Sequence, residues 1–309
     1  MINKLRIVYM GTPSLSSYIL ECLINNGYNI VGLVSQEDKP VGRKGLIEPT
    51  PTKQIALKYN IPVFQPHKIR LDYEFMKELK PDLIVTCAYG QILPQGLLDI
   101  PTLGSINVHG SLLPKYRGAS PIQQALINGD KKSGVTIIEM IDKMDAGDML
   151  DKEEFDLTID DNYTSTCEKM AKSGLKALLK VIPEIEKHQE IRIPQDEEKA
   201  TFCKKITKDE EHLNLSLSSE EVNNYIRALS STPGGYVLLD DLVFKIYKAE
   251  VVEGTGNVGE IIMANKNGLV VACGQGALRL LEVQKQGKKK MDYKSFINGE
   301  KDLLGKVLK

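Results

Sequence analysis

The chain has 309 residues, about twice a usual single domain, so two domains are expected. Apolar residues make up 42% and charged residues 26%, which excludes a wholly disordered chain, and no run of 18 apolar residues reads as a membrane span. A formal net charge of −1 excludes a protein that coats nucleic acid through bulk charge, while leaving room for a localised basic surface. The apolar run in residues 1–10 is too short for a secretory signal and meets Gly11-Thr12-Pro13, so a cytoplasmic protein is expected. The cysteines (Cys22, Cys87, Cys167, Cys203, Cys273) are scattered and never form CxxC. The histidines (His67, His109, His188, His212) form no HExxH, so neither a disulfide framework nor a protein-bound metal is expected.

Taken in chain order, residues 5–10 read as a buried strand closed by Gly11-Thr12-Pro13, and Leu15 to Ile24 carries apolar residues at helical spacing. Residues 29–34 repeat the strand signal after the turn at Asn26-Gly27, and further β-rich runs occupy 83–88, 105–109 and 134–140. Strands separated by helices predict a Rossmann-like α/β domain with a mostly parallel sheet, because parallel neighbours need long crossovers. Ligands in such sheets bind beyond the carboxyl ends of the strands, which singles out the loops after Met10, Val34, Ala88, His109 and Met140. Residues 162–188 read as one long helix with Met170, Leu175, Leu178, Leu179 and Ile182 on its apolar face. Residues 190–209 then lose periodicity, gain charge and hold Pro194, the pattern of a linker running over the surface. A short amphipathic helix over 220–229 follows. After Pro233-Gly234-Gly235, strand runs at 236–239, 242–252, 259–264, 269–273 and 277–283 predict an OB-like β-barrel. The expected division is a catalytic domain at 1–189, a linker at 190–209 and a barrel domain at 210–309.

Gly11-Thr12-Pro13 is not GxGxxG, and no P-loop pattern occurs, so a nucleotide-phosphate loop is unsupported. The densest chemistry lies in Asn107-Val108-His109-Gly110-Ser111-Leu112-Leu113-Pro114-Lys115-Tyr116-Arg117-Gly118. Residues two apart on a strand face one side, so Asn107 and His109 project together at the strand's carboxyl end. One offers an amide donor, the other a group that titrates near neutrality. Gly110, Pro114 and Gly118 permit a sharply turned loop behind them. Further on, Asp142, Asp145 and Asp148 place three carboxylates in one turn, and one of these could orient the imidazole.

This run, with Gly134-Val135-Thr136-Ile137 and Asp145-Ala146-Gly147-Asp148, resembles the signature of the 10-formyltetrahydrofolate-dependent formyltransferases. The likeness spans the chain. Met10-Gly11-Thr12-Pro13 resembles the family's first loop. Asp38-Lys39-Pro40-Val41-Gly42-Arg43 and Pro49-Thr50-Pro51-Thr52-Lys53 resemble a segment of those members that act on initiator tRNA. Lys205-Ile206-Thr207-Lys208, Ile226-Arg227-Ala228-Leu229, Gly287-Lys288-Lys289-Lys290-Met291 and Phe296-Ile297-Asn298-Gly299 resemble their C-terminal domain. Departures are Leu213-Asn214-Leu215 in place of a Trp, Ser231-Thr232-Pro233-Gly234-Gly235 in place of a Pro-rich turn, and a reordered Lys44-Gly45-Leu46.

The resemblance implies transfer of a formyl group from 10-formyltetrahydrofolate to the α-amine of methionyl initiator tRNA by a cytoplasmic monomer that needs no metal and no membrane. Such an amine, with a pKa near ~8, is partly neutral at pH 7 and attacks without a strong base. By resemblance Asn107 and a protonated His109 donate to the oxyanion, one such donor being worth about 3 kcal/mol, while Asp145 orients the imidazole. The folate is expected against Ser111, Leu112, Leu113 and Pro114, with Tyr89, Gly90, Gln91, Ile92 and Leu93 lining the pterin side. For the tRNA, the expected contacts are Arg43 and Lys44 in the 36–48 loop and Lys288, Lys289 and Lys290 in a segment, 285–309, of net charge +5. Arg is scarce, seven against 33 Lys, which makes Arg43 conspicuous. Alternatives with the same Asn/His/Asp set are an amino-sugar nucleotide N-formyltransferase and a formyl-folate hydrolase. A tRNA-binding protein without activity would instead have lost part of that set.

Overall fold

A computed structural model describes residues 4–41 and 45–309. They divide into two compact units, the first holding residues 1–118, 132–156 and 167–202 and the second 119–131, 157–166 and 203–309.

Arg6–Gly11 (β1) leads into Ser14–Asn25 (α1) and Asn29–Val34 (β2). A short hairpin, Lys39–Val41 (β3) with Leu46–Glu48 (β4), precedes Pro51–Lys58 (α2), Val63–Phe64 (β5), Phe75–Leu79 (α3) and Leu83–Cys87 (β6). Gln95–Leu98 (α4), Ser105–His109 (β7) and Arg117–Gly118 (β8) follow. After Pro121–Ile127 (α5), which belongs to the second unit, the first unit resumes with Lys132–Glu139 (β9) and Met149–Asp156 (β10). Seven strands align as β10-β9-β7-β6-β1-β2-β5. From β7 to β5 every neighbour is parallel, whereas β9 runs antiparallel to both β7 and β10. Strands β1 and β6 are apolar and buried along nearly their whole length, as a sheet covered on both faces requires.

The antiparallel pairing of β9 has a geometric consequence. In its register Ile106 faces Glu139 and His109 faces Thr136, so β9 ends beside the start of β7. The segment after β9 therefore leaves from the sheet edge opposite the loops that follow the parallel strands, with Met140 N–H donating to Ser105 O at 2.8 Å. Hydrophobic periodicity carries no strand direction, so the sequence could not reveal this reversal.

Tyr163–Glu186 (α6) covers the expected long helix and carries Pro183 inside its last turn. Short helices with proline in their first turn, α2 and α5, were not expected. Pro51 and Pro121 start them because the first turn needs no N–H donor there, and Thr50 Oγ1 caps α2 by accepting from Lys53 N.

After Phe202–Cys203 (β11), the second unit continues with Ser219–Leu229 (α7), then Gly235–Leu239 (β12), Leu242–Val252 (β13), Ile261–Asn265 (β14), Gly268–Ala272 (β15), Ala277–Lys285 (β16), Met291–Asp292 (β17) and Tyr293–Gly299 (α8). The antiparallel sheet runs β12-β13-β16-β15-β14, with β17 added on β16. Val222, Ile226 and Leu229 of α7 and Phe296 of α8 join Phe244, Ile246 and Leu280 of the sheet in one core. The strand path itself is open. Its two ends are bonded to the last residues of the chain: Lys309 exchanges hydrogen bonds with Leu238 on β12, while Leu308 N–H donates to Gly259 O and Lys306 O accepts from Ile261 N on the β14 side. Among the described residues no helix is long and apolar enough to cross a membrane.

Helix α7 begins with a reciprocal cap: Ser218 Oγ accepts from Glu221 N, and the Glu221 carboxylate accepts from Ser218 N at 2.9 Å. Ser218→Ala should destabilise the protein by about 1 kcal/mol, measurable as a lower denaturation midpoint at unchanged m-value.

Candidate active site

Asn107 and His109 leave the same face of β7. His109 is buried, whereas Asn107 is half-buried and its amide has no hydrogen-bonding partner among the described residues. His109 Nε2 lies 2.9 Å from the carbonyl oxygen of Tyr116. A carbonyl only accepts, so this nitrogen carries a proton and donates. Nδ1 faces Asp145 Oδ1 at 3.6 Å, too far for a hydrogen bond. The second Asp145 oxygen accepts the Gly118 N–H at 2.8 Å. The expected triad thus comes together, with one constraint that spacing could not reveal. Nε2 is committed to Tyr116, which leaves the Asn107 amide as the side-chain donor open to an oxyanion.

Both residues that face the imidazole have unusual backbones. Tyr116 (φ 61°) and Asp145 (φ 51°) are left-handed, a conformation costly for any residue with a Cβ, so outside bonds must hold it. Gly147 answers a neighbouring demand: a Cβ there would stand 1.9 Å from Glu139 O. Gln195 also reaches this turn, its Nε2 donating to the carbonyls of Asp145 and Gly147, both at 2.8 Å. It lies in the aperiodic stretch read as linker, where nothing in the sequence signalled a role.

The loop behind His109 is pinned from within. Ser111 Oγ donates to Lys115 O at 2.6 Å, and Thr136 Oγ1 donates to Ser111 O and accepts from Leu113 N. Lys152 Nζ donates to Leu113 O at 2.6 Å, and burial holds its ammonium below the usual lysine range. The Leu113–Pro114 peptide is cis. Ser111 and Leu113 are buried, and Leu112 and Pro114 are half-buried. On the β6 side the Tyr89 carbonyl accepts from Gln36 Nε2 and Thr12 Oγ1, Gly90 takes a left-handed φ of 88°, and Gln91 is bonded to Ile69 N. The ring of Tyr89 is buried and burial pushes its hydroxyl well above the usual range. Leu93 packs into the core, but Ile92 is 75% exposed. Ile141 and Met144, on the Asp145 loop, are exposed as well. Exposed apolar side chains flanking buried polar groups fit a flat, partly apolar ligand better than they fit bare water.

Residues 4–182 match the formyl transferase family, and residues 205–301 match the formyl transferase C-terminal domain. A methionyl-tRNA formyltransferase from Macrococcus caseolyticus is 44% identical over 97% of this chain and 97% of its own. One from Bacillus subtilis is 44% identical over 98% and 97%. The chain belongs to the methionyl-tRNA formyltransferase family. In fold it is similar to HypX from Aquifex aeolicus, solved in complex with tetrahydrofolic acid, with a TM-score of 0.70 at 16% identity over 96% of this chain and 47% of that one.

The expected tRNA contacts fall in two segments of the chain. Arg43 and Lys44 lie outside the described residues. Their flanks are firmly rooted: Asp38 accepts from Lys53 Nζ at 2.5 Å and from Gln65 Nε2 at 2.7 Å, and Gln65 Nε2 also reaches Gln36 O. In the second unit Lys290 pairs with Glu282 at 2.7 Å and sits over the Tyr247 ring, while Lys288 and Lys289 are exposed with no ion pair to a described residue. Lys285 and Lys306 are neutralised by Glu300 and Asp240. Three of the segment's eight lysines are therefore balanced locally, and Lys288, Lys289, Lys294, Lys301 and Lys309 have no ion pair to a described residue.

Gly147→Ala should destabilise the protein by about 1–3 kcal/mol and lower formyl-transfer turnover at least ~10-fold, because the clash falls on backbone beside Asp145. Parallel melting and steady-state measurements check both parts.

Proposed function

We propose that this chain transfers the formyl group of 10-formyltetrahydrofolate to the α-amino group of methionyl initiator tRNA. The observation that carries the reading is the Asn107–His109–Asp145 set on a sheet of the formyl transferase family, with an unengaged amide beside a buried imidazole. The folate supplies the formyl carbon. Ser111, Leu112, Leu113 and Pro114 on one side and Tyr89, Gly90, Gln91, Ile92 and Leu93 on the other would hold it. The exposed Ile92 and the fixed carbonyls of the two loops suit a heteroaromatic ring with polar edges.

The Asn107 amide donates to the formyl oxygen as that atom gains negative charge. As the amine nitrogen bonds to the formyl carbon and the bond from that carbon to folate N10 breaks, His109 Nδ1 takes the proton the amine must lose and passes it on to N10, so that tetrahydrofolate leaves neutral. Nε2–H keeps its bond to Tyr116 O, and Asp145 steadies the cation formed in between. The 3.6 Å gap to Asp145 leaves room for that movement, as catalytic bonds are often loose before substrates arrive. No covalent enzyme adduct is required. The reading carries with it a cytoplasmic monomer, as the family resemblance implies.

The acceptor end of the tRNA is assigned to residues 36–48, with Arg43 and Lys44 as phosphate and base contacts. A cavity of about 360 Å³ lined by Thr12, Gln36, Lys39 and Glu48 supports this assignment. The antiparallel sheet of the second unit serves as an OB-like platform, with the chain's last residues joining its edges, and Lys288, Lys289 and Lys290 provide its basic face.

Asn107→Ala, His109→Ala and Asp145→Ala should each lower kcat by about 10²-fold with folate affinity far less affected. Radiolabelled formyl transfer to charged initiator tRNA, run beside an amino-sugar nucleotide, is the assay. Near wild-type turnover of His109→Ala, or transfer to the sugar alone, would overturn the reading.

Replacing both Lys288 and Lys289 by Gln should weaken tRNA binding uniformly and flatten the plot of log affinity against log salt by roughly one unit per lost phosphate contact. Filter binding over a salt series reads this, and an unchanged slope would remove the two lysines from the interface.

A further inference from the structure

The stretch from Ile193 to Thr201 has no regular strand or long helix, yet its bonds converge on the two residues that flank His109. At one end Ile193 exchanges backbone hydrogen bonds with Met149, at 2.9 and 3.0 Å. At the other, Thr201 N–H donates to Pro114 O, Thr201 O accepts from Arg117 N, and Thr201 Oγ1 accepts from Tyr116 N at 2.8 Å. Between these anchors Gln195 Nε2 bridges the carbonyls of Asp145 and Gly147.

The orientation of the Gln195 amide is unambiguous. Its Oε1 accepts from Arg117 Nε at 3.0 Å, an atom that can only donate, so its nitrogen must face the two carbonyls. The Arg117 side chain is wholly buried and makes a forked pair with Glu197 at 2.8 and 3.2 Å. Glu197 in turn accepts from Lys143 Nζ at 2.9 Å, on the same loop as Asp145. With Arg117 and Lys143 beside it, the Glu197 carboxyl is pulled down to about 2, so this arrangement stays ionised at any practical assay pH.

We propose that residues 193–201 are a positioning strap for catalysis. Gln195 sets Asp145 on one side of the His109 ring, and Thr201 sets Tyr116 on the other. The physical need is the one already met: both flanking residues hold left-handed backbones that do not hold themselves. Asp145 is fixed through its side chain by Gly118 N and through its carbonyl by Gln195, so removing the second bond frees the turn to relax. A shift near 1 Å at a reacting group can cost up to ~10²-fold in rate. Glu197 and Arg117 act one step further out, by orienting Gln195.

The proposal rests on His109 and Asp145 being the reactive pair, so the test includes them. Gln195→Met keeps length but removes the amide donors, and Gln195→Glu keeps an acceptor toward Arg117 while losing both donors. Each should lower kcat roughly 10- to 100-fold. The KM values for 10-formyltetrahydrofolate and methionyl-tRNA should stay within about twofold, with the melting temperature near that of the wild type. Because Gln195 acts through Asp145, Gln195→Met added to Asp145→Ala should cause little further loss. If His109→Ala is inactive but both Gln195 variants turn over normally, the strap is wrong and the catalytic assignment survives. A full additional loss in the Asp145→Ala background, or kcat falling only in step with melting temperature in both variants, would also overturn the strap. Retained activity in His109→Ala would instead remove the reading on which it rests.

Discussion

The reversal of strand direction between β7 and β9 governs how this active site is built. Were β9 parallel, its following loop would emerge beside His109, as the loop after β6 does. Running antiparallel, it ends beside Ser105, and the acidic turn has to fold back along the sheet to bring Asp145 to the imidazole. A segment that doubles back has few neighbours of its own. It therefore relies on a left-handed turn, on a glycine pressed against Glu139 O, and on side chains lent from elsewhere in the unit. The Asn107–His109–Asp145 set and its supports are two halves of one geometric problem.

Much of this was legible from sequence, and the reasons differ by element. Residues 5–10, 29–34 and 83–88 are continuous apolar runs, and burial on both faces makes such strands easy to recognise. The long helix α6 declares itself through its apolar stripe over seven turns. Asn107 and His109 could be paired because strand periodicity is strict, whereas the acidic turn left Asp142, Asp145 and Asp148 open and only the family resemblance singled out Asp145. The helices α2 and α5 escaped notice because each is short and opens on proline, which reads as a breaker before its N-terminal use is seen. Tyr116 was unreadable as a partner of His109 since it contributes a carbonyl, which every residue has. Gln195 was unreadable for a related reason: its partners are also backbone carbonyls.

The basic C-terminal segment illustrates how composition overstates charge. Counted along the chain, residues 285–309 carry five surplus positive charges. In the fold, Lys285 lies against Glu300, Lys290 against Glu282 and Lys306 against Asp240, two of these acids lying outside the segment. Exposed pairs of this kind add little to stability, yet they redistribute the field that an approaching polyanion meets. What remains without an ion pair to a described residue is Lys288, Lys289, Lys294, Lys301 and Lys309, and not a uniform basic stripe.

Most of the strap's residues are exposed, in contrast to the imidazole they serve. Peptide segments of that kind open locally at far lower free energy than a whole domain unfolds. The proposed strap thus makes catalytic competence separable from global folding. Under the proposed role of the strap, turnover fades on warming while the sheet and both cores remain intact. Gains in thermal endurance for such an enzyme lie in stiffening that short exposed span, where a deeper core would leave activity unprotected.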